Sequence, residues 1–291
     1  MSGEAQSRSS ITHQEDTLIA ADGLRLFIAH WLPAERRALV VLIHGYGEHS
    51  GRYAHVIDAL TAAGYGVYTI DHRGHGRSEG LRAYLKTLDQ PIADLKQYIT
   101  SIRAAHPGER LFLYGHSMGA LIALGYALAH QGDVDGLITS GAPVLADANV
   151  PGWVVTVARV VAAVAPTLPL ANLVPVERLS HDPAVIAAFR ADPLTYKGKL
   201  RAGTGMAINN KAAWVRQRLP DLRIPYLILH GAADVNVSPA GSTYAYDQAS
   251  SADKTLKLYE GLYHEIHNEP ERDAVLADIC HWLNERTAPP A

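Results

Sequence analysis

The chain has 291 residues, 48% of them apolar and 19% charged, with 26 Lys and Arg set against 29 Asp and Glu for a net charge of −3. That balance belongs to a globular protein with room for a sizeable core, and it argues against the basic footprint of a nucleic-acid binder or a polybasic membrane anchor. A single cysteine, Cys280, rules out an intrachain disulfide and a multi-cysteine metal site; beside Trp282 and Leu283 it reads as a buried structural thiol.

Residues 1–16 read as a tail. Met1 to Ser10 is polar, carries Glu4 and Arg8, and has no apolar segment behind it, so no secretory signal is visible and cytoplasmic residence is expected. Thr17 to Ala21 and Leu24 to Trp31, joined by Asp22-Gly23, predict a β-hairpin. Short apolar runs then alternate with longer amphipathic stretches. The runs are Leu39 to Ile43, Val67 to Ile70, Leu111 to Tyr114, Leu137 to Thr139, Tyr226 to Leu229 and Leu256 to Tyr259; the helical patterns are Tyr53 to Ala63, Pro91 to Ala105, Met118 to His130, Ser238 to Ala249 and Glu271 to Leu283. Continuous rather than alternating runs are what strands covered on both faces require, so the pattern predicts an α/β fold with a mostly parallel sheet.

Between Thr139 and Tyr226 roughly 85 residues pass without a strand signal, far more than an ordinary connection needs. A helical cap at 144–220, inserted after the sixth strand of a core made of 17–143 and 221–286, is the simplest reading. Its Val150 to Leu170 run is long enough for a membrane span, yet it holds Arg159, Pro151, Pro166 and Pro169 and reads instead as a surface or lid element. A helix is expected from Ala202 to Leu219.

Gly115-His116-Ser117-Met118-Gly119 stands directly between a strand pattern and a helix pattern, the context of a nucleophile elbow. The flanking glycines are needed because the serine backbone is strained and its neighbours must be small. Such a turn aims the Ser117 hydroxyl at a substrate and sets the Met118 N–H at a helix start, where it can stabilise an oxyanion. A serine needs a base and an orienting carboxylate, in the chain order Ser, Asp or Glu, His. Asp234 and His264 follow the last two strand runs in that order, at the same sheet edge as Ser117. Asp133, Asp135 and Asp221 remain alternatives for the acid, and His267 for the base. His44-Gly45-Tyr46-Gly47, after the first core strand, supplies the Tyr46 N–H as the second oxyanion donor.

Other constellations fail. His264 and His267 are three apart, where a zinc-protease helix needs four. The glycines around Tyr46 and in Arg73-Gly74-His75-Gly76 lack the endings of phosphate or dinucleotide loops, so no cofactor is predicted. Asp71 to Ser78 reads as a tight turn with loop-fixing charges.

With these residues assembled, the chain resembles the monoacylglycerol lipase family of the α/β-hydrolase superfamily, from about Thr17 to Leu283. The segments His44 to Tyr53, Asp71 to Ser78, Gly115 to Gly119 and Tyr259 to Glu265 carry the resemblance. It implies Ser117 as nucleophile, Asp234 as acid, His264 as base, Tyr46 and Met118 as oxyanion donors, Glu48 and Arg52 as substrate-binding residues near the glycerol end, and His116 and Phe189 as further substrate-binding residues. Tyr46 stands where a small residue is frequent in the family, and Phe189 where a tyrosine is. The implied reaction is cleavage of a monoacylglycerol through an acyl-enzyme, with the cap supplying the acyl tunnel; the Val150 to Leu170 run is more apolar than a lid in water needs and is expected to dock on lipid aggregates or membranes, the alternative being a helix buried against the core. The competing readings are a carboxylesterase or lysophospholipase using the same triad, and a ligand-binding protein that kept the fold without turnover.

Overall fold

The computed structural model describes residues 10–146, 152–171 and 175–288. In chain order the core runs β1 (Ile11–Ile19), β2 (Arg25–Pro33), β3 (Ala38–Ile43), α1 (Ala54–Ala62), β4 (Tyr65–Ile70), α2 (Asp89–Ala105), β5 (Leu111–His116), α3 (Met118–Ala129) and β6 (Gly136–Ser140). The insertion holds α4 (Gly152–Val164), β7 (Pro169–Ala171), α5 (Pro183–Ala191), β8 (Leu200–Arg201) and α6 (Ala202–Arg218). The core resumes with β9 (Tyr226–Gly231), α7 (Ala240–Gln248), β10 (Lys254–Tyr259) and α8 (Arg272–Thr287).

Eight strands make one sheet in the order β1-β2-β4-β3-β5-β6-β9-β10, with β1, β2 and β4 joined antiparallel and all later neighbours parallel. Each residue of β3, β4, β5, β6 and β9 is buried. Alternate side chains feed opposite faces: Leu39, Val41 and Ile43 of β3 join Leu95, Ile99 and Leu121 of α2 and α3, while Val40 and Leu42 join Val56, Leu60, Ile279 and Trp282 of α1 and α8. These two layers explain why the strand sequences show no polar face. Cys280 packs half-buried against the second layer.

The hairpin is longer than expected. β1 begins at Ile11, within the segment read as a tail, because every residue from Ile11 opposite Pro33 to Ile19 opposite Arg25 pairs with β2. Nearly all of β1 is exposed, so no apolar alternation marks it in the sequence. In the insertion, β7 and β8 form a short separate antiparallel ladder. Helix α5 was not anticipated either, although Asp182-Pro183 is a start signal: Asp182 accepts the Ala184 N–H at 2.8 Å and Pro183 opens the helix. The Val150 to Leu170 run folds as α4 and β7, with Val150 and Pro151 outside the described residues. No residue of α4 is buried.

Candidate active site

The turn from β5 into α3 is as tight as its glycines require. Ser117 sits at φ 54°, ψ −121°, in the left-handed half of backbone space. A Cβ on Gly119 would lie 2.1 Å from Ile43 O and 2.4 Å from His44 O, and one on Gly115 would lie 2.5 Å from Gly119 O. Only glycine lets the elbow press against the end of β3. The Ser117 N–H is spent on Ser140 O at 2.8 Å, which ties the elbow to β6. Met118 is the first residue of α3, where an N–H has no acceptor within its own helix.

The partners arrive from two further strand exits. Asp234 follows β9 and His264 follows β10, as anticipated, and Gly231 brings their loops together: a Cβ there would lie 2.1 Å from Tyr263 O. His264 Nε2 stands 3.0 Å from Ser117 Oγ, and its Nδ1 stands 2.6 Å from Asp234 Oδ2. A carboxylate only accepts, so Nδ1 carries the proton and Nε2 is left to receive the hydroxyl proton. Asp234 Oδ1 takes the N–H groups of Asn236 at 2.8 Å and Val237 at 3.0 Å. Burial opposes ionisation of Asp234, but His264 and the hydrogen bonds outweigh it and hold the carboxyl below its ordinary range. For His264, burial works against a second proton, yet the Asp234 carboxylate raises its affinity above the ordinary histidine value.

The alternatives left open by the sequence fall away. Asp133 pairs with Lys96 and Tyr126, and Asp135 accepts the Leu111 N–H at the opposite, amino end of β5. Asp221 lies in a single turn before β9. His267 is buried, stacks on Tyr53 with ring centroids 4.8 Å apart, and is pushed down to about 3, chiefly by burial.

The His44 to Gly47 loop runs against the elbow. A Cβ on Gly45 would lie 3.2 Å from Ser117 Cβ, and the Tyr46 ring is held aside by its hydroxyl donating to Ala83 O at 3.1 Å. Glu48 fixes this loop by accepting the Gly45 N–H and the Tyr53 hydroxyl on Oε1, each at 2.6 Å. Arg52 then bridges Glu48 Oε2 at 2.6 Å to Glu265, which it grips at 2.8 and 2.7 Å. The polar atoms of Glu48 and Arg52 are thus turned on each other and on Glu265 rather than left open. Sequence reasoning did not assign Glu265 a part, although its place beside His264 was a signal. Phe189 of α5 lies buried under the Arg52 guanidinium, 4.9 Å from ring centroid to Cζ. His116 is buried with its ring centroid 4.7 Å from that of His264. A cavity of about 230 Å³ is lined by Gly51, Arg52, Val185, Ala188, Asp192 and Asn268. The Asp71 to Ser78 turn is structural, as read: Asp71 accepts from Ser50 and Arg77, and Arg73 pairs with Asp94 and Asp22.

Comparison with known proteins agrees with this geometry. The family described as serine aminopeptidase, S33, matches residues 34–271. A monoacylglycerol lipase of Mycolicibacterium smegmatis is 39% identical over 275 residues, covering 94% of this chain and 98% of its own. The crystal structure of a Paleococcus ferrophilus monoacylglycerol lipase superposes with a TM-score of 0.82 at 30% identity, over 90% of this chain and 99% of that one. A soluble variant of the Saccharomyces cerevisiae monoglyceride lipase, in complex with a substrate analog, gives the same TM-score of 0.82 at 25% identity, over 99% of this chain and 100% of that one. With the S33 match across its core and relatives aligned over nearly its whole length, the chain belongs to the monoacylglycerol lipase family of the α/β-hydrolases.

Proposed function

We propose that this chain is a serine hydrolase that cleaves monoacylglycerols to glycerol and a free fatty acid. The observation that carries the reading is the unbroken Ser117, His264, Asp234 relay at 3.0 and 2.6 Å on one sheet edge; the names of its relatives select the substrate. Ser117 Oγ attacks the ester carbonyl as His264 Nε2 takes its proton. The oxyanion settles between the Tyr46 and Met118 amides, and His264 returns the proton to the departing glycerol oxygen. Water, activated by the same imidazole, then releases the acid. We place the glycerol end near Glu48 and Arg52, with His116 and Phe189 as further substrate-binding residues; of these, Arg52 also borders the cavity beside Asp192 and α5.

In this reading the insertion 144–220 is the cap, and the core on either side of it, which starts with β1 at Ile11 and ends with α8 at Thr287, carries the chemistry. Among the described residues no helix is long and apolar enough to cross a membrane. Helix α4 instead offers a lipid surface an apolar stripe: Trp153, Val157, Val160 and Val164 are 71%, 54%, 59% and 78% exposed. Arg159 on the same helix suits peripheral contact from the cytoplasmic side.

Fatty-acid release from a long-chain monoacylglycerol by the purified protein, with Ser117→Ala and a matched lysophospholipid alongside, tests the reading. Release that exceeds the lysophospholipid rate and drops on the order of 10⁶-fold in the variant is expected. Preference for the lysophospholipid or for a short-chain ester would reassign the substrate and leave the chemistry in place.

A further inference from the structure

His230 is the penultimate residue of strand β9, is wholly buried, and has no part in the steps above. Its ring is held at both ends. Nδ1 meets Ser242 Oγ of α7 at 2.6 Å, while Nε2 faces Asp234 Oδ2 at 3.0 Å and Val237 O at 3.1 Å. A carboxylate and a carbonyl can only accept, so Nε2 carries the proton; Nδ1 then accepts the Ser242 hydroxyl proton. The carboxylate atom that His230 reaches is the same Oδ2 that accepts from His264 Nδ1. One oxygen therefore serves two buried histidines.

We propose that His230 is a positioning residue for hydrolysis, holding Asp234 by the oxygen it presents to His264 and limiting how strongly that oxygen draws a proton onto His264. This role rests on Ser117, His264 and Asp234 acting as proposed above. Two effects follow from the shared atom. The first is geometric: with Oδ1 fixed by two backbone N–H groups and Oδ2 by His230, the carboxylate has no freedom to rotate away when His264 swings between serine and leaving group. The second is electrostatic. Each donor on Oδ2 draws off part of its negative charge, so removing His230 leaves a stronger partner for the imidazolium and makes His264 harder to deprotonate. A base that is protonated at higher pH loses activity at higher pH.

Other charged or titratable groups also face His264, and one of them, His116, is itself within electrostatic reach of His230. They are His116 of β5, Glu265 beside His264 in the chain, Glu48 of the β3 to α1 connection, paired there with Arg52, and His267 in the following turn. Apart from His264, the side chain facing Asp234 in this cluster is His230 itself, backed by Ser242.

The test is the acid limb of kcat/KM for monoacylglycerol hydrolysis by the full chain, read beside thermal melting. His230→Asn keeps an amide facing Ser242 but is too short to reach Asp234; His230→Gln sets an amide nitrogen near the position of Nε2. The Asn variant is expected to move the limb upward by about half a pH unit or more and to lower the plateau about 10-fold, whereas Gln restores the wild-type limb. A purely packing role would lower the melting temperature and the active fraction without displacing the limb. An Asn variant with its limb at the wild-type position therefore overturns the role. If that variant does not fold, Ser242→Ala decides: it strips Nδ1 of its partner and should displace the limb in the same direction by a smaller amount, and an unmoved limb there also overturns it. Wild-type protein without hydrolysis, or hydrolysis persisting in Ser117→Ala, strikes the triad itself and carries this role down with it.

Discussion

Arg52 and Glu265 meet in a two-pronged pair at 2.8 and 2.7 Å, and that pair fastens the loop holding the Tyr46 amide to the residue next to His264. The Tyr46 loop and the His264 loop are thereby linked through one cluster, since Arg52 also grips Glu48, whose other oxygen holds Gly45. All three side chains are almost fully shielded from water. Two buried carboxylates share one guanidinium: burial and Glu265 push Glu48 upward, while Glu265, despite its burial, is drawn down by Arg52 to about 2.

Removing the cation leaves both acids without compensation. Arg52→Met is expected to destabilise the fold by about 3–5 kcal/mol, read by chemical denaturation at neutral pH. An effect no larger than that of a surface substitution would show that the cluster contributes little.

The pair also has a pH signature. Because Glu265 is lowered from its ordinary 4.5 to about 2, its contribution to stability is complete above the ordinary value and disappears as pH falls between the two. Denaturation curves across that window should fall more steeply for the wild type than for Glu265→Gln. Parallel curves would place the acid sensitivity elsewhere.

In the proposed mechanism, activity depends on a different group. His264 must be neutral to accept the serine proton, and its affinity for a proton is raised above the ordinary histidine value, so kcat/KM should decline as pH falls through a midpoint above about 6.5. A rate that stays level from roughly pH 5 to 8 contradicts its assignment as base.

The elbow allows no extra atom. Gly119→Ala would set a methyl 2.1 Å from the Ile43 carbonyl oxygen, which belongs to a central strand and has no room to retreat. Little folded protein is expected, or a loss of about 3 kcal/mol or more with the activity gone. Near-normal stability and turnover would mean that β3 and α3 separate more readily than their packing implies.

Helix α4 should behave in the opposite manner. Val157→Ser with Val160→Ser changes two exposed side chains, so the melting temperature should stay within the small range of surface changes, while sedimentation with phospholipid vesicles weakens. Unchanged vesicle association would remove α4 as the docking element.

The sequence determined the elements whose pattern is local. Continuous apolar runs gave β3, β5, β6 and β9 because both faces of the sheet are covered, and the glycines at 115 and 119 marked the elbow because its backbone excludes a side chain. Ser117, Asp234 and His264 were read in the same way, each at the exit of a strand, and the structure brings them within hydrogen-bond reach of one another. The edge strand β1 was legible only in part, since a strand exposed on both sides carries no alternation, and α5 was masked by a polar approach. What only the tertiary structure decided is which distant groups share an atom. No spacing in the chain puts Arg52 on Glu265 or sets His230 against the oxygen that Asp234 offers His264. Those contacts form because parallel strands deliver their exits to one edge, where loops remote in sequence must satisfy each other's buried charges.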